Sequence, residues 1–287
     1  MKNGEGDPVN CRSGVEPWSG ERELNKPART PEALGPQLKG NNMKSRNAVI
    51  AIGAMALTLV LTANLAQAGA GAAGNPRILP PGASPYGSTY GEWSVKWWQW
   101  VFSLPATNSP IADTGDCSAG QSGPVWFLAG AFVSTPLTRT CTVPAGKALF
   151  FPIMNAWADN TWCPDWTTYT VDELVGFVQW YMENAGALAC TIDGRPVTGL
   201  GNAATSPYRV GPQVFSYTLA PEDNIFANGL GPLWGVDLSC IADGTTVAPA
   251  AEDGVYLMVA PLSAGQHTIR FTVEGFLDIT YDLTVLK

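Results

Sequence analysis

Histidine occurs once in the 287 residues, at position 267, and only 14% of the chain is charged. A single imidazole excludes a histidine-clustered metal centre, and any Ser-His-Asp or Cys-His chemistry must run through that residue. No C-x-x-C pair is present, so the cysteines lack zinc-ribbon spacing. No segment repeats at a fixed period, which excludes solenoids and propellers. There is no twin-arginine pair, and no cysteine closely follows the one strongly apolar segment, so a lipoprotein is not expected.

That apolar segment, "MKSRNAVIAIGAMALTLVLTANLAQA" at 43–68, reads as a secretory signal peptide. Lys44 and Arg46 form the basic end, 48–61 the apolar stretch, and Ala66, Gln67 and Ala68 a small-residue cleavage site. The mature chain is expected to start at Gly69 and to work in the periplasm or outside the cell. A membrane anchor fits less well, because Thr62, Ala63 and Asn64 end a short apolar run. No membrane span is expected after cleavage. Residues 1–42 carry mixed charges without apolar periodicity, and read as a non-native or disordered extension.

Residues 69–287 hold 8 of the 16 Lys/Arg and 18 of the 24 Asp/Glu, a balance of −10. Such a chain is a poor partner for nucleic acid or anionic lipid. Its length suits one large domain, taken as 89–287 behind a flexible Gly/Ala/Pro-rich lead-in at 69–88. Export makes disulfides the default use of Cys117, Cys141, Cys163, Cys190 and Cys240. Cys117 and Cys141 bracket one apolar strand and its return and are the first expected pair, with a contribution of roughly 3 kcal/mol. Cys163 is left with Cys190 or Cys240 as partner, and one thiol remains over.

Two helices announce themselves by capping boxes, in which a Thr hydroxyl and a Glu carboxylate satisfy free N–H groups of the first turn. In the first, Thr89 and Glu92 precede a stripe of Trp93, Trp97, Trp100, Val101 and Leu104, and Pro105 stops it. Trp98 and Phe102 lie well off that stripe. In the second, Thr170 and Glu173 precede Val171, Leu174, Val175, Val178, Tyr181, Met182 and Ala185, the expected buried face, and Gly186 ends it. Strand patterns occur at 125–133, 138–143, 148–154, 213–219, 234–240 and 255–260. "CTIDGRPV" reads as a hairpin turning at Asp193 and Gly194, and "QHTIRFTV" and "LDITYDLTVL" close the chain. About nine strands and two short helices predict a mainly β fold, an antiparallel sandwich of immunoglobulin-like or jelly-roll type.

The stretches "YGEWSVKWWQW", "GQSGPVWFLAG", "CTVPAGKALFFPIMN" and "PLSAGQHTIRF" together resemble a group of secreted bacterial proteins, from about Tyr86 to the C-terminus. The resemblance implies an extracytoplasmic single domain and no particular activity. The last two strands are similar to the closing pair of immunoglobulin-like bacterial sandwiches, which bears on fold alone.

Among residues that carry chemistry, His267 alternates in phase with Ile269 and Phe271 and reads as a structural, hydrogen-bonded histidine. "GQSGP" around Ser122 fails as a nucleophile elbow, since position 124 is Pro and no strand precedes it. Asp113 or Asp116 with Asp159 or Asp165 is the carboxylate set from which a glycosidic acid/base pair would have to come. "DTGD", with Asp113 and Asp116, also offers hard oxygen ligands for calcium, though without the twelve-residue loop and closing Glu. No other cofactor is expected. "NAWADNTWCPDW" places Trp157, Trp162 and Trp166 beside Asn155 and Asn160 in a turn-rich segment that no period explains. Indole faces next to amides suit sugar rings.

Three functions therefore stand open. The first is a binding module for a glycan or envelope polymer, using Trp157, Trp162, Trp166, Asn155 and Asn160, with Trp98 as a further contact. The others are a polysaccharide hydrolase using paired aspartates, and a structural or protein-interaction protein.

Overall fold

Both capping boxes form as the sequence predicts, and they set where the helices begin. The computed structural model describes residues 77–133, 135–161, 163 and 168–287, which lie within one compact unit. The signal segment, Trp162, Asp165 and Trp166 fall outside the described residues. Helix α1 runs Tyr90–Ser103, with the Glu92 N–H donating to the Thr89 hydroxyl and the Thr89 N–H to the Glu92 carboxylate. Helix α2 runs Val171–Glu183 with the same reciprocal pair at Thr170 and Glu173.

The fold is mainly β, with nine strands among the described residues. One sheet has the order β1-β3-β7-β6, from Val125–Phe127, Ala148–Asp159, Thr246–Val259 and Arg209–Thr218. The other has the order β2-β9-β8-β4-β5, from Leu137–Val143, Leu277–Val285, Gly265–Val273, Leu188–Ile192 and Arg195–Pro196. Asp193 and Gly194, both at positive φ, make the two-residue turn between β4 and β5.

Neither sheet is purely antiparallel, contrary to expectation: β1 runs parallel to β3, and β2 parallel to β9. After β1 the chain crosses to the second sheet as β2, and β3 returns to the first in the direction β1 took. No hairpin links β1 to β3, so nothing forces them antiparallel.

The first sheet is the middle layer. Odd residues of β7, such as Val255, Leu257 and Val259, share a core with the second sheet and with Leu174, Val178 and Met182 of α2. Even residues, such as Tyr256 and Met258, pack with Phe150 against α1. This explains the near-continuous apolar runs of β3 and β7, buried on both faces.

Helix α1 departs from a one-stripe helix. Trp98 and Phe102 are as buried as Trp93, Trp97 and Trp100, leaving only Glu92, Lys96, Gln99 and Ser103 exposed. A helix apolar on nearly every side belongs in an interior. In α2 the reverse holds: Val171 and Tyr181, expected inside, are 40% exposed. The strand expected at 234–240 does not form. Helix α3, Gly231–Trp234, has Pro232 in its first turn and ends at left-handed Gly235. Strand β1 is only three residues long, because the chain leaves the sheet at Leu128, which donates its last N–H to the Phe150 carbonyl.

Cys117 and Cys141 are bonded, as expected. Cys163 takes Cys240, leaving Cys190 as a buried thiol that burial pushes up to about 12. Two disulfides fit an oxidising compartment. Among the described residues no helix is long and apolar enough to cross a membrane.

Candidate functional site

Because β1 stops at Phe127, β3 runs on from Phe151 to Asp159 with no described strand on its outer side. An open edge of this kind has to be covered or used. Here it floors a cleft of about 810 Å³. One wall is Leu174, Phe177 and Tyr181 of α2; the other is Trp157, Phe132 and Trp234. Phe177 and Tyr181 are one helical turn apart, with ring centroids at 5.1 Å, and Phe177 is 52% exposed.

The rim at 129–132 is pinned from the second sheet. The Arg139 guanidinium donates to the carbonyls of Ala129 (3.2 Å) and Gly130 (2.8 Å), and the Tyr281 hydroxyl donates to Ala129 (2.9 Å). Asp113 holds Arg139 from the far side at 3.0 Å. Asp113 is thus an anchor for the rim and does not line the cleft. Asp116 accepts from the Ser118 N–H (2.6 Å) and hydroxyl (2.5 Å), a local turn. Among the described residues no group of three or more His, Cys, Asp or Glu side chains stands together as a cation site.

Among the described residues, Asn155, Asp159 and Glu173 are the amide- or carboxylate-bearing ones of the lining. The Asp159 oxygens accept from the Trp157 indole (2.8 Å), the Tyr217 hydroxyl (2.6 Å) and the Thr161 N–H (2.7 Å). The indole bond holds Trp157 with its ring 5.3 Å from both Trp98 and Phe132 and stacked on Trp234 at 6.3 Å. Burial first, and then Asp159, push the Tyr217 hydroxyl well above its ordinary range, so it stays a donor. Glu173 is engaged with Thr170 in the capping box, which also holds its carboxyl below the usual range. Asn160 does not line this cleft. Its amide pairs with the Tyr169 backbone at 2.8 and 2.9 Å and closes the loop ahead of α2.

Trp98 is 1% exposed, stacked on Phe102 at 5.2 Å. It supports the cleft from behind and presents no open ring face. Its indole N–H lies beside the Glu252 and Tyr256 side chains without a hydrogen bond of ordinary geometry.

Glu252 and Tyr256, together with Ser94, are the residues sequence reasoning passed over. Glu252 is fully buried, with the Ser94 hydroxyl at 2.5 Å and the Tyr256 hydroxyl donating at 2.9 Å; Tyr256 accepts in turn from Asn155 Nδ2 at 3.2 Å. Ser94 Oγ also lies 2.8 Å from the Gly91 carbonyl, yet a hydroxyl has one proton to give. All contacts are satisfied when Glu252 carries a proton and donates to Ser94, which donates to Gly91. Burial pushes the Glu252 carboxyl up to about 8, against the hydrogen bonds that favour its charged form. Gly254 makes this packing possible, since a Cβ there would stand 2.6 Å from the Tyr256 ring and 2.8 Å from Asn155 Cβ. The available signal was "AEDGVY", two adjacent carboxylates inside an apolar strand. Asp253 points to the other face, where Arg209 binds it with contacts of 2.6 to 3.2 Å.

His267 sits apart on the second sheet, Nδ1 at 2.8 Å from Asp193 and Nε2 at 2.9 Å from the Ser263 carbonyl. Two acceptors flank one ring, so the imidazolium is favoured. Burial pulls its pKa down, and these bonds outweigh it to give a net rise.

No family model matches the chain, and neither a curated protein nor a solved structure matches it.

Proposed function

We propose that this protein is an exported binding module whose ligand lies in the cleft along the open edge of β3. The cleft itself carries the reading: its volume is that of a site for one small molecule, about 300–1,000 Å³, and its walls are aromatic and aliphatic. The signal-like segment at 43–68 and the two disulfides support work in an oxidising compartment.

The polar groups of the lining are few, and those of Asp159 and Glu173 are already engaged. A ligand covered in hydroxyls would leave many of them unpaired, at about 1–3 kcal/mol each. The best fit is an apolar body, an acyl chain or fused rings, of an envelope or secreted compound. A glycan is the second reading, favoured by the exposed rings of Tyr169, Phe177 and Tyr181 at the mouth, on which a sugar face would stack. The hydrolase reading has less support, since Asp113, Asp116 and Asp159 each serve a structural contact.

The test is a fluorescence titration with N-phenyl-1-naphthylamine, an apolar probe that brightens when shielded from water. Saturable binding is expected, lost in Ala131→Trp, which fills the rim. Displacement by cellohexaose or chitohexaose in place of apolar competitors would move the conclusion to the glycan. Absence of probe binding would end the apolar reading.

A further inference from the structure

Among the described residues Asn155 is the one amide of the cleft, and its orientation is decided outside the cleft. Tyr256 has a single hydroxyl proton, directed at Glu252 Oε2 at 2.9 Å. The phenol oxygen is then left as an acceptor, and Asn155 must meet it with Nδ2, at 3.2 Å. Reversing the Asn155 amide would set its carbonyl oxygen against the lone pairs of Tyr256. Glu252, fully buried, keeps the order fixed: Oε2 receives Tyr256 while Oε1 faces Ser94. Asn155 Oδ1, at the other end of the amide, has no hydrogen-bond partner among the described residues, and the side chain lines the cleft. An acceptor held half-buried without a partner is costly unless a ligand or water supplies the proton.

We infer that the ligand group seated against Asn155 is a hydrogen-bond donor, a hydroxyl or an amine, because the Tyr256–Glu252 pair holds the Asn155 amide with its carbonyl oxygen free for the cleft. This rests on the proposed binding function and narrows it: the ligand is an apolar body bearing a donor head, an amphipathic alcohol or amine. The carboxylates of Asp159 and Glu173 in the same lining act in the same sense, disfavouring an acid head. Asn155 is thus a specificity residue, and Tyr256 and Glu252 are positioning residues that act through it.

The test displaces N-phenyl-1-naphthylamine from the full-length, disulfide-intact protein with three matched competitors: 1-decanol, decyl methyl ether and decanoate. Chain length is constant, so each protein's ratio of decanol to ether reads the donor preference, and the wild-type ratio is the reference. Decanol is expected to displace the probe at about three- to ten-fold lower concentration than the ether, with decanoate weakest. Asn155→Ala is expected to lose the preference, with decanol and the ether displacing the probe equally. Tyr256→Phe keeps the ring, frees the amide to turn, and is expected to lose the preference by improving the ether. A purely structural Tyr256 would weaken all three competitors together. Ether and alcohol acting equally on the wild type, or a preference surviving in Asn155→Ala, overturns the inference while leaving the cleft as a binding site. Failure of the probe to bind at all removes both.

Discussion

Replacing Glu252 by Gln should make the protein more stable relative to wild type as pH rises. The carboxyl starts from an ordinary value of 4.5, and burial raises it to about 8 in the folded state. Between those values the unfolded chain has released a proton that the folded protein still holds, so each pH unit lowers folding stability by about 1.4 kcal/mol. The contribution is fully present below 4.5 and is lost as pH climbs through the folded value. Over the whole interval it is on the order of 4 kcal/mol, undiminished by solvent because the group is fully buried. The amide that replaces the carboxyl would not titrate. Its nitrogen can donate to Ser94 while its oxygen accepts from Tyr256, the pattern of the protonated acid. Taking the difference between variant and wild type cancels groups that titrate independently of Glu252, His267 included. Urea unfolding of the disulfide-intact protein at pH 5, 6, 7, 8 and 9 supplies it. The expected difference grows by about 1.4 kcal/mol per unit up to pH 8 and then levels. A difference that stays constant from pH 5 to 8 would refute the assignment of a buried, protonated Glu252.

Arg209→Met should destabilise by about 3–5 kcal/mol in the same assay at pH 7, because Asp253 would stay fully buried without its guanidinium. A loss under 1 kcal/mol would mean the pair is solvated. His267, the chain's one histidine, should give a single imidazole NMR titration with its midpoint above 6.5. The sign follows from the contact: its stabilisation is complete below 6.5, is lost as pH rises through the raised folded value, and at the acid end fades as Asp193 protonates below its usual range. A midpoint below 6.5 would show that burial wins over the two acceptors.

What the sequence discloses is what local chemistry decides. Thr89 with Glu92, and Thr170 with Glu173, mark helix starts because each box closes within four residues. The Asp193 and Gly194 turn is equally local. Strand direction is not, since the parallel pairing of β1 with β3 depends on a crossing to another sheet made by β2. Periodicity assigns one apolar face to α1, whereas Trp98 and Phe102 are buried because the aromatic cluster of Trp157, Tyr217 and Phe226 covers a further side. In α2 the same reasoning buries Tyr181, which instead lines the cleft and stays 40% exposed.

The candidate site was legible in part. Trp157 and Asn155 were visible as aromatic and amide in an aperiodic stretch, and both line the cleft, as does Asp159. Asn160 and Asp113 have the same composition and different work, closing a loop and anchoring a rim. Phe132, Phe177 and Trp234 come from segments far apart in the chain, and only the folded chain assembles them. The Glu252 network was hidden because its members sit at 94, 155, 252 and 256, and no short motif spans them.

The central claim is that the cleft along β3 is a binding site, and the most direct measurement is a two-dimensional amide NMR titration with N-phenyl-1-naphthylamine. The account predicts saturable shifts concentrated at 130–133, at 154–159 and at Phe177 and Tyr181. Saturating probe with shifts confined to β8 and β9, or with none, would contradict it.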